Sequence, residues 1–252
     1  MPEPLKPIKW YKSLSAKKGR LEAGAFLVEG ERAIRQVITA QPEAVLEIIS
    51  IEDPPPFRRR YPTRQITESQ LQAVSRTRTP QGTLAVVRAP ADIYSGSLPR
   101  ETGDTILLME DIQDPGNAGT LIRTAAAFGF SGVIMTESCA DPLSPKCVQS
   151  TAGTVLSVWI RRTAGYLDIA QALRGNGFTL VAADVGGGSG PSVLHGQNRL
   201  LLALGNEAAG LSPELSMAAD YRLSIPVARE KAESLNVAAC GAILMFLASG
   251  TE

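Results

Sequence analysis

The sequence predicts an α/β protein, a parallel sheet with helices on both faces preceded by a smaller α/β domain. Three observations predict it. Short apolar runs recur at 105–109, 132–135, 155–159, 179–183, 200–204 and 221–225, roughly 20 to 27 residues apart, with helix-length segments between several of them. The stretch APADIYSGSLPRETGD, residues 89–104, breaks this pattern with proline, glycine, serine and charge, which marks a linker at 91–103. Upstream of it, strand-like and helix-like runs alternate over about 90 residues. The expected division is 1–90, linker 91–103 and 104–252.

In the first part, AFLVEG, AVLEII and TLAVVR read as strands, and GERAIRQVITA and TESQLQAVS as helices. A basic arm precedes them, with Lys9, Lys12, Lys17, Lys18 and Arg20. Residues 1–100 hold 16 Lys+Arg against 10 Asp+Glu and the remainder 9 against 15, so a neutral chain is basic at its start and acidic after it. That asymmetry fits a first domain that meets a polyanion, although solvated surface charge gives the same counts. Arg58, Arg59 and Arg60 add a second basic cluster.

Composition removes several classes of function. At 252 residues and 44% hydrophobic content the chain forms an ordinary globular core, and it has neither an apolar run of about 18 residues nor the apolar centre of a signal peptide. A cytoplasmic protein without a membrane partner is expected. Cys139, Cys147 and Cys240 are odd in number and lack CxxC spacing, which argues against a disulfide framework or a zinc site. With His195 as the single histidine, a Ser-His-Asp triad or a multi-histidine metal centre has little to build on. No metal is expected.

In a parallel sheet the ligand sits at the carboxyl ends of the strands, so the loops there carry the argument. The first is EDIQDPGNAGTLIRTAA, where Asn117 reads as a helix cap and Gly116 and Gly119 allow a tight turn. Arg123 lies off the apolar stripe of that helix, with no carboxylate at helical spacing to pair with it. The second, LLLALGNEAAGLS, places Gly205, Asn206 and Glu207 at a strand end, where backbone groups face a ligand edge. The third, YRLSIPVAREKAESLNVAACGAILMFL, ends a strand at Ile225 and Pro226 and opens a helix through Ser234 and Asn236, with Ser234 as its natural cap. Ala238, Ala239, Gly241 and Ala242 then imply close packing against backbone. Each loop by itself reads equally as an ordinary turn. The glycine-rich VGGGSG, residues 185–190, matches neither GxGxxG nor a Walker sequence and reads as a flexible loop. Asp184, after a strand, is a weak ribose ligand, and His195 is a turn or surface residue.

In order, NAGTLIRTAA, LGNEAAGLS and IPVAREKAESLNVAA resemble the three signature motifs of the SpoU/TrmH branch of the SPOUT methyltransferases. AFLVEGERAIRQVI and SRTRTPQGTLAVV resemble the RNA substrate-binding domain that precedes the catalytic domain in many such enzymes, so the resemblance covers nearly the whole chain. The resemblance implies an RNA ribose 2′-O-methyltransferase using S-adenosyl-L-methionine, a C-terminal trefoil knot and a homodimer formed through the catalytic domain. It implies a cofactor site at Leu204, Gly205, Asn206, Ile225, Pro226 and Leu235. It groups Asn117, Arg123, Glu207, Ser234 and Asn236 around the transferred methyl and the target ribose. RNA contacts fall to Lys17, Lys18, Arg20, Arg58, Arg59 and Arg60. Ribosomal RNA is the expected substrate, because enzymes of this family acting on transfer RNA often lack the added N-terminal domain. The alternatives are transfer RNA, or a non-catalytic RNA- or ribosome-binding protein of the same fold. Ala208-Ala209, where the family commonly has glycine and an acid, and Ala238, where it commonly has serine, depart from the pattern and bear on positioning of the RNA.

Overall fold

The structure, a computed structural model, describes residues 6–52, 60–77, 79–228, 230–231 and 234–250. The first part runs α1 (Ile8–Ser13), α2 (Lys17–Ala23), β1 (Ala25–Glu29), α3 (Glu31–Ala40), β2 (Val45–Ser50), β3 (Thr63–Gln65), α4 (Glu68–Val74) and β4 (Thr83–Arg88). There follow β5 (Thr105–Met109), α5 (Pro115–Ala127), β6 (Gly132–Met135), α6 (Pro145–Thr151) and β7 (Trp159–Arg162). The chain closes with α7 (Tyr166–Gly175), β8 (Thr179–Ala183), β9 (Leu200–Leu204), α8 (Pro213–Ala218), β10 (Tyr221–Leu223) and α9 (Val237–Ser249). It forms two compact units, Met1–Ala91 with Asp141–Ser157, and Asp92–Ala140 with Val158–Glu252.

The first unit is built on a sheet of order β1-β4-β2-β3, in which β4 runs antiparallel to both β1 and β2 while β3 joins β2 in parallel. Tyr11 and Leu14 near α1, and Leu71 and Val74 of α4, pack on Ile49, Leu84 and Val86 of the sheet. A capping box starts α4, Thr67 accepting from the Gln70 amide while the Gln70 side chain accepts from the Thr67 N–H. Strand β3 was not expected: at three residues with mostly exposed side chains, it offers no apolar alternation to read.

Residues 141–157 belong to this unit, and they correct two expectations. Arg20, read as an RNA contact, is 3% exposed. It donates to Leu14 O at 3.1 Å, Ser15 O at 3.0 Å and Asp141 Oδ2 at 2.6 Å. Its charge is therefore neutralised inside the fold, by a partner 121 residues away that local spacing could not suggest. The expected strand at 155–159 is also displaced. Residues 154–156 form a 3-10 turn whose Val155 and Leu156 are buried, and the strand begins at Trp159. Gly153 starts the turn at φ +93°, where a Cβ would lie 2.3 Å from Ala33 O. A short buried apolar run fits such a turn as well as it fits a strand.

The second unit is a six-stranded parallel sheet among the described residues, of order β10-β8-β9-β5-β6-β7. Every residue of β9 is buried, as expected of a strand covered on both faces. On one face Ile106, Leu108, Leu201 and Ala203 meet α7 through Ile169 and Leu173 and α8 through Leu215. The other face receives α5 and α9, which pack together. Gly241 permits that contact, since a Cβ there would lie 2.3 Å from Leu121 Cδ2 and 2.8 Å from Leu204 Cδ1. Strand β10 stops at Leu223, short of the expected 225, because Ser224 turns to the 187–189 segment, donating from its N–H to Ser189 O and from its hydroxyl to Gly187 O. VGGGSG is thus held against a strand, with Ser189 bridging Leu223, contrary to the flexible loop expected. Among the described residues no helix is long and apolar enough to cross a membrane.

Breaking the buried pair leaves an uncompensated charge. Arg20→Ala should lower stability by ~3–5 kcal/mol in urea unfolding, whereas Lys18→Ala, at an exposed i,i+4 pair with Glu22, should change it by less than ~0.5 kcal/mol. Equal small losses would put Arg20 at the surface.

Candidate active site

The direction of the chain through the sheet reverses between β5 and β9: β6 and β7 lie on one side, β9, β8 and β10 on the other. Clefts form at such switch points, beyond the carboxyl ends of the strands. The loops that follow β5 and β9 therefore meet side by side.

The loop after β5 is fixed by its own polar groups. Asp111 holds φ +57°, a left-handed conformation that costs energy outside glycine. Thr136 secures it, its hydroxyl donating to Asp111 Oδ1 at 2.5 Å and accepting from the Asp111 N–H at 2.9 Å. Glu110 is 4% exposed and accepts from Tyr166 OH at 2.5 Å and from the Ser212 N–H at 2.7 Å. The end of β5 is thus tied to α7 and to the residue that caps α8. Burial and the Glu110 hydrogen bond push the Tyr166 phenol up to about 12.

Helix α5 is capped by Asp114, whose Oδ1 accepts from the Asn117 N–H at 2.9 Å, and Pro115 occupies its first turn. The expected cap, Asn117, is therefore corrected: Asp followed by Pro takes that role, since the proline ring cannot donate and is pre-set for the first helical position. The Asn117 side chain is released for other use. Its Nδ2 donates to Glu207 Oε1 at 2.6 Å, and its Oδ1 accepts from Asn236 Nδ2 at 3.2 Å. One amide thereby joins three loops separated by 90 and 119 residues.

The loop after β9 closes on itself. Asn206 and Gly210 exchange backbone hydrogen bonds at 3.0 and 2.9 Å, and a Cβ on Gly205 would lie 2.3 Å from Gly210 C. The Asn206 side chain accepts from the Ala208 and Ala209 N–H groups and donates to Asp111 O at 2.9 Å. Asn206 thus shapes the loop that presents Glu207. In the third loop Asn236 caps α9, accepting from the N–H groups of Ala238 and Ala239, and so replaces Ser234 as the cap because it stands next to the helix.

A cavity enclosing about 520 Å³, its open mouth included, lies at the ends of β8 and β10. Of the expected cofactor residues, Ile225 and Leu235 line it, and Ser234 does as well; Leu204, Gly205, Asn206 and Pro226 do not. Leu204 is buried beneath Gly241. Ala183, Asp184, Val185 and Cys240, none of them expected there, complete its walls with Leu223, Ser224 and Val227. Burial pushes the Cys240 thiol up, so it serves as an apolar wall.

Arg123 stands on the exposed face of α5, about 9 Å along the axis from Asn117, and has no hydrogen bond or ion pair with any described residue. It does not join the bonded group. Among the expected RNA contacts, Lys17 and Lys18 are exposed and Arg60 stacks on the Tyr61 ring at 4.9 Å, while Arg58 and Arg59 lie outside the described residues. Sequence reasoning missed Glu110, Asp111, Asp114, Tyr166 and Thr136; Pro115 beside Asp114 was the one available signal.

The model of the SpoU rRNA methylase family matches residues 104–246, and that of the MRM3-like substrate binding domain matches residues 6–85. The chain is 30% identical over 244 residues to the 23S rRNA (guanosine(2553)-2′-O)-methyltransferase RlmP of Bacillus subtilis, covering 95% of this chain and 94% of that protein. It is 30% identical to a 23S rRNA (uridine(2479)-2′-O)-methyltransferase of Streptomyces viridochromogenes, over 94% of this chain and 86% of the other. The crystal structure of the SpoU methyltransferase AviRb from Streptomyces viridochromogenes in complex with the cofactor AdoMet superimposes with a TM-score of 0.82 at 28% identity, covering 98% and 97% of the two chains.

Removing the buried carboxylate in Glu110→Ala leaves a phenol and an N–H without their acceptor and should cost ~1–3 kcal/mol in urea unfolding. The folded Tyr166 pKa is about 12, above its ordinary value of 10.0, so its contribution is complete below pH 10 and is lost as pH rises towards 12. The stability difference between the native protein and Tyr166→Phe should stay constant below pH 10 and fall between pH 10 and 12. A flat difference would contradict the Glu110 contact.

Proposed function

Because the chain belongs to the SpoU rRNA methylase family, we propose that it transfers a methyl group from S-adenosyl-L-methionine to a ribose 2′-hydroxyl of ribosomal RNA. The observation that carries this reading is the hydrogen-bonded link Glu207–Asn117–Asn236, which gathers all three motif loops at the switch point of the sheet. Ribosomal RNA is favoured over transfer RNA because a substrate-binding domain model matches residues 6–85 and the full-length relatives act on 23S rRNA.

The cavity suits the cofactor. Leu223, Ile225, Val227 and Leu235 give apolar walls to a flat heterocycle. Ile225 and Leu235 would hold the adenosine and methionine parts, with Leu204, Gly205, Asn206 and Pro226 shaping the loops around them. When bound, S-adenosylmethionine supplies an activated methyl group on a sulfonium that departs as a neutral thioether. The protein has to orient the acceptor oxygen and exclude water.

In this reading the target ribose rests over Asn117, supported by its hydrogen bonds to Glu207 and Asn236, and Ser234, on the cavity wall, lies toward the methyl group. Arg123 is unpaired among the described residues and offers donors but no acceptor. We assign it to the phosphate beside the target ribose and to the negative charge that develops on the hydroxyl oxygen, the proton leaving to phosphate or water. Lys17, Lys18, Arg58, Arg59 and Arg60 would hold the RNA backbone. For the domains we assign RNA binding to 1–90, linkage to 91–103 and catalysis to 104–252, with 141–157 packed in the first unit and 92–103 in the second.

Two architectural readings accompany this one. The C-terminal segment is read as a deep trefoil knot, supported by Ser224 pinned to the 187–189 segment just before the chain reaches α9. A homodimer through the catalytic unit is supported by the exposed apolar surface of Ile243 and Phe246, the latter 5.8 Å from the Phe128 ring. We place the enzyme in the cytoplasm.

The chain should transfer labelled methyl from S-adenosylmethionine to ribosomal RNA prepared from cells lacking it, and mapping should show the product as a 2′-O-methyl ribose. Incorporation into transfer RNA alone would change the substrate, and none into any RNA would support a binding protein. Arg123→Lys should reduce turnover about 100-fold while cofactor affinity stays within about twofold. Near-normal turnover of that variant would remove the role given to the guanidinium.

A further inference from the structure

The cavity contains a group that the methyl-transfer scheme leaves unused. Of the residues lining it, Asp184 alone is charged. Its carboxylate stands at the end of β8, with the side chain about a quarter exposed. Oδ1 accepts from the Gly186 N–H at 2.8 Å, and Oδ2 from Arg222 Nε at 3.0 Å and Nη2 at 2.5 Å. A carboxylate has about four acceptor positions, so one on Oδ1 is left over. Burial pushes the Asp184 carboxyl up, but the hydrogen bonds from Arg222 and Gly186 and the Arg222 charge outweigh it, holding the group below the usual carboxylate range and ionised at neutral pH.

The backbone around it is equally fixed. A Cβ on Gly187 would lie 2.6 Å from Leu223 C, so the turn after Asp184 is pressed against β10 and cannot swing the carboxylate away. The cofactor of the proposed reaction carries a sulfonium and an ammonium against a single carboxylate and is a net cation, with hydrogen-bond donors at its ribose hydroxyls and its ammonium. The acceptor position left on Oδ1, fixed at the wall of a largely apolar cavity, complements those donors.

Resting on the methyltransferase reading, we infer that Asp184 is a cofactor-binding residue whose Oδ1 accepts a hydrogen bond from a donor group of S-adenosylmethionine, a ribose hydroxyl or the α-ammonium. Arg222, half exposed, pairs with Oδ2 from the solvent side, while the Gly186 N–H holds Oδ1 independently of it. The sequence gives Asp184 only as a weak ribose ligand, because the acid follows a strand without the glycine fingerprint of a dinucleotide site. Here the cavity wall comes from Ile225 and Leu235 rather than from a glycine-rich turn, so that fingerprint is not the relevant test.

Titration calorimetry with S-adenosylhomocysteine and with 5′-methylthioadenosine, which keeps the ribose and lacks the amino-acid part, tests the inference on the full chain. Asp184→Ala should weaken S-adenosylhomocysteine binding about tenfold or more, and Arg222→Ala should stay within about twofold of the native protein. An equal loss for methylthioadenosine identifies the ribose as the donor, and an unchanged methylthioadenosine affinity identifies the ammonium. Native affinity in Asp184→Ala overturns the inference. So does an equal loss in Arg222→Ala, which would mean that the ion pair acts only by holding β8 to β10. Failure of the native chain to bind either ligand would instead overturn the methyltransferase reading.

Discussion

The Asn117 amide donates to Glu207 and accepts from Asn236, and these two hydrogen bonds define where the loops after β5, β9 and β10 can lie. An amide is suited to this position because it offers a donor and an acceptor on one planar group; an acid would repel Glu207, and a hydroxyl could not span both partners. Were Asn117 the helix cap, its Oδ1 would be taken up by the helix start and lost to Asn236. Asp114 takes that duty, and Asn206 builds the turn that aims Glu207. Three polar side chains of similar size are thus divided between shaping backbone and meeting one another.

Close packing beneath the loops sets the frame for this arrangement. Gly241 lets α9 approach Leu121 and Leu204, and Gly205 lets its loop fold back on Gly210. Asp111 is held in a left-handed conformation by Thr136, and Glu110 anchors the same strand end to Tyr166 and Ser212. The floor of the site is rigid for these reasons. Arg123 contrasts with it: no described residue restrains its guanidinium, in keeping with the phosphate-binding role proposed for it.

Much of this could be read from the sequence where the cause was local. The runs at 105–109, 132–135, 179–183 and 200–204 form strands with those bounds, because long buried apolar segments between turn residues leave few alternatives. Membership of the family was also legible, from three loops whose order and spacing are more specific than any one of them. Reading failed where the deciding partner was distant or adjacent residues competed. Arg20 looked like any basic-arm residue until Asp141 met it, and Val155 and Leu156 looked like a strand until Gly153 turned them into the first unit. Asn117 and Ser234 were natural caps, displaced by Asp114 and Asn236 standing in better register with the helix starts.

The discontinuous make-up of the first unit bears on how the chain is made. Asp141 and Gly153 contribute to that unit, yet β5, α5 and β6 are synthesised before either of them. An emerging N-terminal segment ending at residue 91 therefore has the Arg20 guanidinium buried without its acid and the Ala33 end of α3 without the turn that covers it. Completion waits until residue 157 has left the ribosome, by which time two strands of the second unit are already available. An exchange of N-terminal regions between relatives therefore has to carry residues 141–157 along with the first ninety.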